Sequence, residues 1–175
     1  MASSYFHNPT VRYFSNNTLN KAINTYLDNL LEKGYEIMTN AARRMEVMSD
    51  SNNMADAWAV AVYFKGKRGQ RTRYLNPTPD STSVHKGWKK HNIQAGTGRG
   101  YLRTFFNNFK PSTDKISLII VNVIYYTSIL EQGKHTDNGR KYKIISQIDV
   151  GMNTLAKELG ATIVGIGIDR GRVTK

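Results

Sequence analysis

Residues 115–135, KISLIIVNVIYYTSILEQGKH, decide how the fold is read. Ile116, Leu118, Ile120, Ile124 and Tyr126 share one parity; Ile119, Val121, Val123 and Tyr125 share the other. Both faces are therefore largely apolar, the pattern of a strand covered on both sides. β-branched and aromatic residues dominate, which favours strand over buried helix. Fifteen uncharged residues separate Lys115 from Glu131. Gly133 can then adopt positive φ and turn the chain. The stretch reads as a central strand followed by a turn.

Working outward, the next signal lies upstream. From Thr18 to about Met48, Leu19, Ile23, Leu27, Leu30, Leu31, Gly34, Met38, Ala41, Ala42, Met45 and Met48 recur at three- and four-residue steps. Lys21, Asp28, Glu32, Glu36, Arg43 and Glu46 take the opposite face. Asn16 or Asn17 suits the N-cap, and residues 49–53, SDSNN, stop the helix. Gly34 allows a close approach or a kink. A helix of some 30 residues is about 45 Å long, whereas a nine-residue strand spans about 30 Å. Part of the apolar stripe, at Ala41, Ala42, Met45 and Met48, is therefore expected to face another subunit.

Asp56 to Phe64 alternates, with Trp58, Val60, Val62 and Phe64 against Ala57, Ala59, Ala61 and Tyr63. This is a strand with one bulky face and one small face, the small one open to close approach by a helix. Tyr101 to Phe109 reads as a further strand, paired in an antiparallel hairpin with the Lys115 strand across the turn at residues 111–114. Ile145, Ile148, Met152, Leu155 and Leu159 step as a second, shorter helix, with Gly160 as its stop. Residues 161–168, ATIVGIGI, read as a last short strand. The expected architecture is α+β: a long N-terminal helix packed on a small antiparallel sheet, with the shorter helix near the C-terminus. Residues 1–17 form an extended arm, 18–168 one domain, and 169–175 a basic tail.

Composition narrows the function. The 175 residues contain no cysteine, which excludes a disulfide scaffold, a thiolate metal site and a cysteine nucleophile. No apolar run approaches the ~20 residues of a membrane span, and the N-terminus lacks a secretory h-region. A protein made in a reducing cytoplasm and free of the membrane is expected. Twenty-five Lys and Arg oppose thirteen Asp and Glu, for a net charge of +12. That excess calls for an anionic partner, either nucleic acid or an acidic protein face.

The densest basic segment is residues 65–73, KGKRGQRTR. As a hairpin tip it would form a mobile basic finger, and Lys65, Lys67, Arg68, Arg71 and Arg73 are the candidate contacts to phosphates or to an acidic partner. The glycines at 95–100, AGTGRG, invite a phosphate-loop reading, but that motif requires a preceding strand, a following helix and a Lys-Ser/Thr pair. None of these is read here, and the segment is taken as a flexible loop. His7, His85, His91 and His135 show no metal-ligand spacing. Neither a catalytic constellation nor a cofactor site is expected.

Three segments then fall into a familiar order. Pro79, Asp80 and Thr82 followed by Gly87-Trp88 resemble a TPvDTG…GW motif. Asn122, Tyr125, Tyr126, Glu131, Gly133 and His135 resemble N…YA…lE.Gh, and Gly151-Met152 resembles the GM start of a closing helix. Behind a long N-terminal helix, this order resembles the tail-completion, or head-to-tail joining, proteins of tailed bacteriophages over roughly residues 18–159. The Gly that follows Asp-Thr in that pattern is missing, and the Trp58 strand with its basic loop looks like an insertion. The resemblance implies a structural protein in the virion neck, made in the host cytoplasm. It also implies a ring of six or twelve copies between portal or adaptor and tail proteins, around the double-stranded DNA channel, with no enzymatic activity. The alternatives are a stand-alone nucleic-acid-binding accessory protein and, further off, a metal-dependent nuclease using Glu131.

Overall fold

The computed structural model describes residues 16–46, 56–77, 97–123 and 143–163. Helix α1 spans Asn16–Glu46, strand β1 Trp58–Tyr63, strand β2 Thr72–Tyr74, helix α2 Thr97–Asn108, strand β3 Ser117–Asn122 and helix α3 Ile144–Leu159. The three strands form one sheet in the order β2-β1-β3, antiparallel throughout. The expected α+β architecture is the one found.

Two helices bury the sheet from opposite sides. On the bulky face, Trp58, Val60 and Val62 meet Leu27, Leu30, Leu31, Met38, Ala41 and Ala42 of α1, joined by Ile144 and Leu155 of α3. On the small face, Ala59, Ala61 and Tyr63 meet Leu102 and Phe106 of α2. Strand β3 contributes to both sides, with Leu118 and Ile120 toward α1 and Ile119, Val121 and Val123 toward α2. The apolar character of both its faces thus has the expected cause. Among the described residues, however, β3 lies at the sheet edge and is half-buried, whereas every residue of β1 is buried. The central strand is β1. Ile124 and the rest of the opening stretch lie outside the described residues.

Residues 101–108 of the stretch read as a strand belong to α2, with Phe109 just beyond its end, and β3 pairs with β1 instead. Leu102, Phe105, Phe106 and Phe109 are spaced i, i+3, i+4, i+7, so a helix places all four on one side. That side fills the shallow face left by Ala59 and Ala61. The expected Gly-rich loop is correspondingly shortened, because its last four residues open α2. At this end Arg99 donates to the carbonyls of Asn76 and Pro77, and its guanidinium lies 3.4 Å from the centroid of the Tyr74 ring. Asn76 in turn donates to the buried Asp56 carboxylate at 2.6 Å, joining the two ends of the β1–β2 hairpin.

Two glycines set how closely the layers approach. A Cβ on Gly34 would lie 2.7 Å from Leu118 Cδ1 and 2.8 Å from Val60 Cγ2, so α1 crosses the sheet with no side chain between them. One turn later Ile37 occupies the space above Gly151 of α3, where a Cβ would meet Ile37 Cγ2 at 2.7 Å. Of the two uses open to Gly34, close approach is the one seen. Gly151-Met152 does not start a helix, because α3 begins at Ile144 and runs through it. Gly160 ends α3 as expected, with φ 59° and its N–H directed to the Ala156 and Lys157 carbonyls. Residues 161–163 are not strand, and 164–168 lie outside the described residues.

The two kinds of helical glycine should respond oppositely to alanine. Gly34→Ala must displace the β-branched Val60 of the central strand. Overpacking of this kind costs about 1–3 kcal/mol, which outweighs the helix-propensity gain of about 1 kcal/mol. At Gly100 in α2 nothing lies within 4 Å of the added Cβ. Gly100→Ala should stabilise by about 0.4–1 kcal/mol. Thermal melts of the two variants check this, and a Gly34→Ala variant as stable as the parent would refute the close crossing.

Candidate nucleic-acid interface

The segment expected to be a free basic finger connects β1 to β2. Phe64 and Lys67 exchange N–H···O bonds of 2.9 Å around Lys65-Gly66, whose φ values of 50° and 72° give a two-residue I′-like turn. Val62 N–H then reaches the Arg71 carbonyl at 3.1 Å, so Arg68, Gly69 and Gln70 stand opposite the single residue Tyr63. This is a bulge, and Gly69 supplies its positive φ of 58°.

The bulge directs the three arginines onto the protein itself. Arg71 and Arg73 pair with Val62 and Val60 and share their side of the sheet, the α1 side. Arg71 Nε donates to Asp28 Oδ1 at 3.1 Å and its Nη2 to Asn24 Oδ1 at 2.6 Å. Arg73 forms an ion pair with Glu32 and lies 5.4 Å from the centroid of the Tyr35 ring. Asn24, Asp28 and Glu32 recur every four residues, so one stripe of α1 receives both guanidinium groups. Arg68 turns the other way. Its guanidinium stacks 4.4 Å over the Phe106 ring of α2, and Nη1 donates to Thr72 Oγ1 at 3.3 Å. The connection is therefore a two-sided clamp rather than a free finger. Of the five cations of this segment, Lys65 and Lys67 are exposed and have no ion pair among the described residues.

Under the clamp lies Tyr63, 3% exposed, its ring 5.6 Å from that of Phe109. Burial raises its phenol pKa above the ordinary value, and the neighbouring Arg68 charge opposes this only in part.

The other sequence-derived positions divide into four groups. Asn122 ends β3 opposite Trp58, and Gly151 and Met152 sit within α3. Ala41 and Ala42 are 2% and 3% exposed, buried in the chain's own core, which removes them from an inter-subunit face. Met45 is in the last turn of α1. Pro79, Asp80, Thr82, Gly87, Trp88, Tyr125, Tyr126, Glu131, Gly133, His135 and Met48 lie outside the described residues. The helix absent from the phosphate-loop reading does exist as α2, but it begins Thr-Gly-Arg-Gly-Tyr, without the Lys-Ser/Thr pair. Among the described residues no three His, Asp or Glu side chains are grouped to hold a metal, and no helix is long and apolar enough to cross a membrane. Comparison with protein-family models, characterised proteins and solved structures finds no match to the chain.

The Tyr63 hydroxyl has no hydrogen-bond partner among the described residues. Tyr63→Phe should leave the melting temperature unchanged or higher. The sign with pH follows from the raised folded-state pKa. Above the unfolded value near 10 the unfolded chain loses this proton first, so stability falls as pH rises through the folded value. The variant should flatten that alkaline decline in pH-dependent melts.

Proposed function

We propose that the protein is a ring-forming structural component of the neck of a tailed bacteriophage, seated between portal or adaptor and tail proteins around the DNA channel. The observation that carries this reading is the relation of α1 to its own sheet. The helix has 31 residues and is about 46 Å long, while β1 has six and spans about 20 Å. Among the residues whose side chains are described, the buried ones on α1 run from Leu27 to Ala42. The ten residues 17–26, about 15 Å of helix, are exposed apart from the half-buried Ile23. Leu19 and Tyr26, 49% and 45% exposed, lie on this overhang. The apolar face expected at the other end, at Met45 and Met48, lies outside the residues whose side chains are described. In a head-to-tail ring each copy presents the same two different surfaces to its neighbours, and a projecting helix end with apolar side chains suits such a contact. The α+β architecture and the order of the sequence motifs support the same reading.

Sedimentation velocity and electron microscopy of the purified protein should show a closed ring, and labelled virions should carry it at the neck. Leu19→Ser with Tyr26→Ser should shift the ring toward monomer. The monomer's melting temperature should change by no more than about 2 °C, because exposed substitutions rarely exceed 0.5 kcal/mol. A protein that stays monomeric at all concentrations and shifts DNA would instead be the stand-alone accessory protein.

A further inference from the structure

With three arginines folded inward, the outward basic surface is not the one that the run of charges indicates. The β1–β2 turn rests against the connection between α2 and β3. A Cβ on Gly66 would lie 2.9 Å from Thr113 Cγ2 and 3.9 Å from the Pro111 carbonyl oxygen. That connection carries Lys110 and Lys115, both exposed. Strands β1 and β3 end their pairing at Tyr63 and Ser117, so Lys65 and Lys115 each stand two residues beyond that pair on neighbouring segments. Four exposed lysines, 65, 67, 110 and 115, thus converge on one end of the sheet from two segments 45 residues or so apart in sequence. The carboxylate within this group is Asp114, which accepts from the Ser112 hydroxyl. None of the four ammonium groups is in an ion pair among the described residues.

We propose that this end of the sheet, formed by Lys65, Lys67, Lys110 and Lys115, is a sequence-independent contact surface for the phosphate backbone of double-stranded DNA. Like charges on neighbouring strands repel, and an anion laid across both segments offsets that repulsion. The outward groups are all ammoniums. These are hydrated point charges on flexible stems and lack the planar fork that arginine offers a fixed carboxylate. Such groups hold phosphate without fixing its register, which suits DNA that must slide, whereas a docked acidic protein face rewards directional pairing. The inference rests on the neck reading for the identity of its partner; the surface is read from the fold alone.

The test is fluorescence anisotropy with two duplexes of unrelated sequence, at salt from about 50 to 200 mM, where each phosphate contact contributes about 0.9 to the slope of log K against log salt. Both duplexes should bind equally. Replacing all four lysines with Gln should weaken binding at least tenfold and lower the slope by about 3–4. Lys110→Gln with Lys115→Gln should lower it by about 2. Arg71→Gln with Arg73→Gln should leave the slope unchanged while lowering the melting temperature. An unchanged slope in the lysine variants, a slope that follows Arg71 and Arg73, or no binding by the parent protein would each overturn the proposal. The last result, with assembly onto neighbouring rings lost in the lysine variants, would assign the surface to an acidic protein face. Ring formation is read by sedimentation on the same samples, so the neck reading and this one fail separately.

Discussion

The molecule depends on the crossing of α1 over the sheet at Gly34. Leu118 and Val60 reach the helix backbone there, and the absence of a side chain fixes the distance between the layers. Everything else on that side follows from the short separation. Leu30, Leu31 and Met38 flank the crossing and fill the space where the helix diverges from the sheet. Ile37, one turn on, fits over Gly151 and sets α3 against α1. Two tight contacts one turn apart hold the helix between two partners. The rim adds ion pairs, Lys33–Glu158 to α3 at 2.9 Å and Arg71–Asp28 to the hairpin at 3.1 Å. Exposed pairs of this kind contribute at most about 1 kcal/mol each. They select the helix's rotation and register more than they stabilise it.

The central strand distributes volume in opposite senses on its two faces. Toward α1 the strand supplies the bulk, through Trp58, Val60 and Val62, and the helix supplies Gly34, Ala41 and Ala42 at or near the interface. Toward α2 the strand supplies Ala59 and Ala61 beside Tyr63, and the helix brings Leu102, Phe105 and Phe106, with Phe109 just beyond its end. Phe105 sits 5.4 Å from both Phe106 and Phe109, edge-on to the first and stacked on the second. Close packing needs this complementarity of large against small. One six-residue strand thereby anchors two helices at different separations, and its complete burial is the result.

Much of this was legible from periodicity. Helices α1 and α3, the alternation of β1 and the apolar faces of β3 each follow from residue spacing alone. Helix α2 was open to the same reading, since residues 102, 105, 106 and 109 carry the helical spacing. Three phenylalanines in nine residues gave the weight to strand propensity, which reflects packing context more than backbone preference. Which strand is central could not be decided from apolar content, because a strand that meets helices on both faces is apolar whether or not it has two neighbours. The fate of the arginines was hidden for another reason. Asp28 and Asn24 are 43 and 47 residues from Arg71, and nothing local shows that α1 will present them there. Within the candidate site the exposed lysines 65 and 67 were visible, while Lys110 and Lys115 join them only through the fold.

The distinction between guanidinium and ammonium groups changes what a charge of +12 means. A guanidinium held against a carboxylate forms a nearly neutral pair, and its field fades within a few ångströms. An unpaired ammonium on the surface projects its field to about 8–10 Å at physiological salt before screening removes it. Arg71 and Arg73 therefore add little to the potential outside the molecule, although they stand in its most basic segment. Among the described residues, four lysines without an ion pair gather at one end of the sheet. In a closed ring that end would recur once per copy at a constant radius, and the repeated field would be a band rather than a patch. Only an anion of comparable extent can satisfy such a band continuously as it moves, because an acidic side chain on a neighbouring protein would satisfy it at fixed points. A polyanion threading the ring has that extent. The same geometry that commits the arginines to holding the sheet to its helices leaves the four lysines without an ion pair among the described residues.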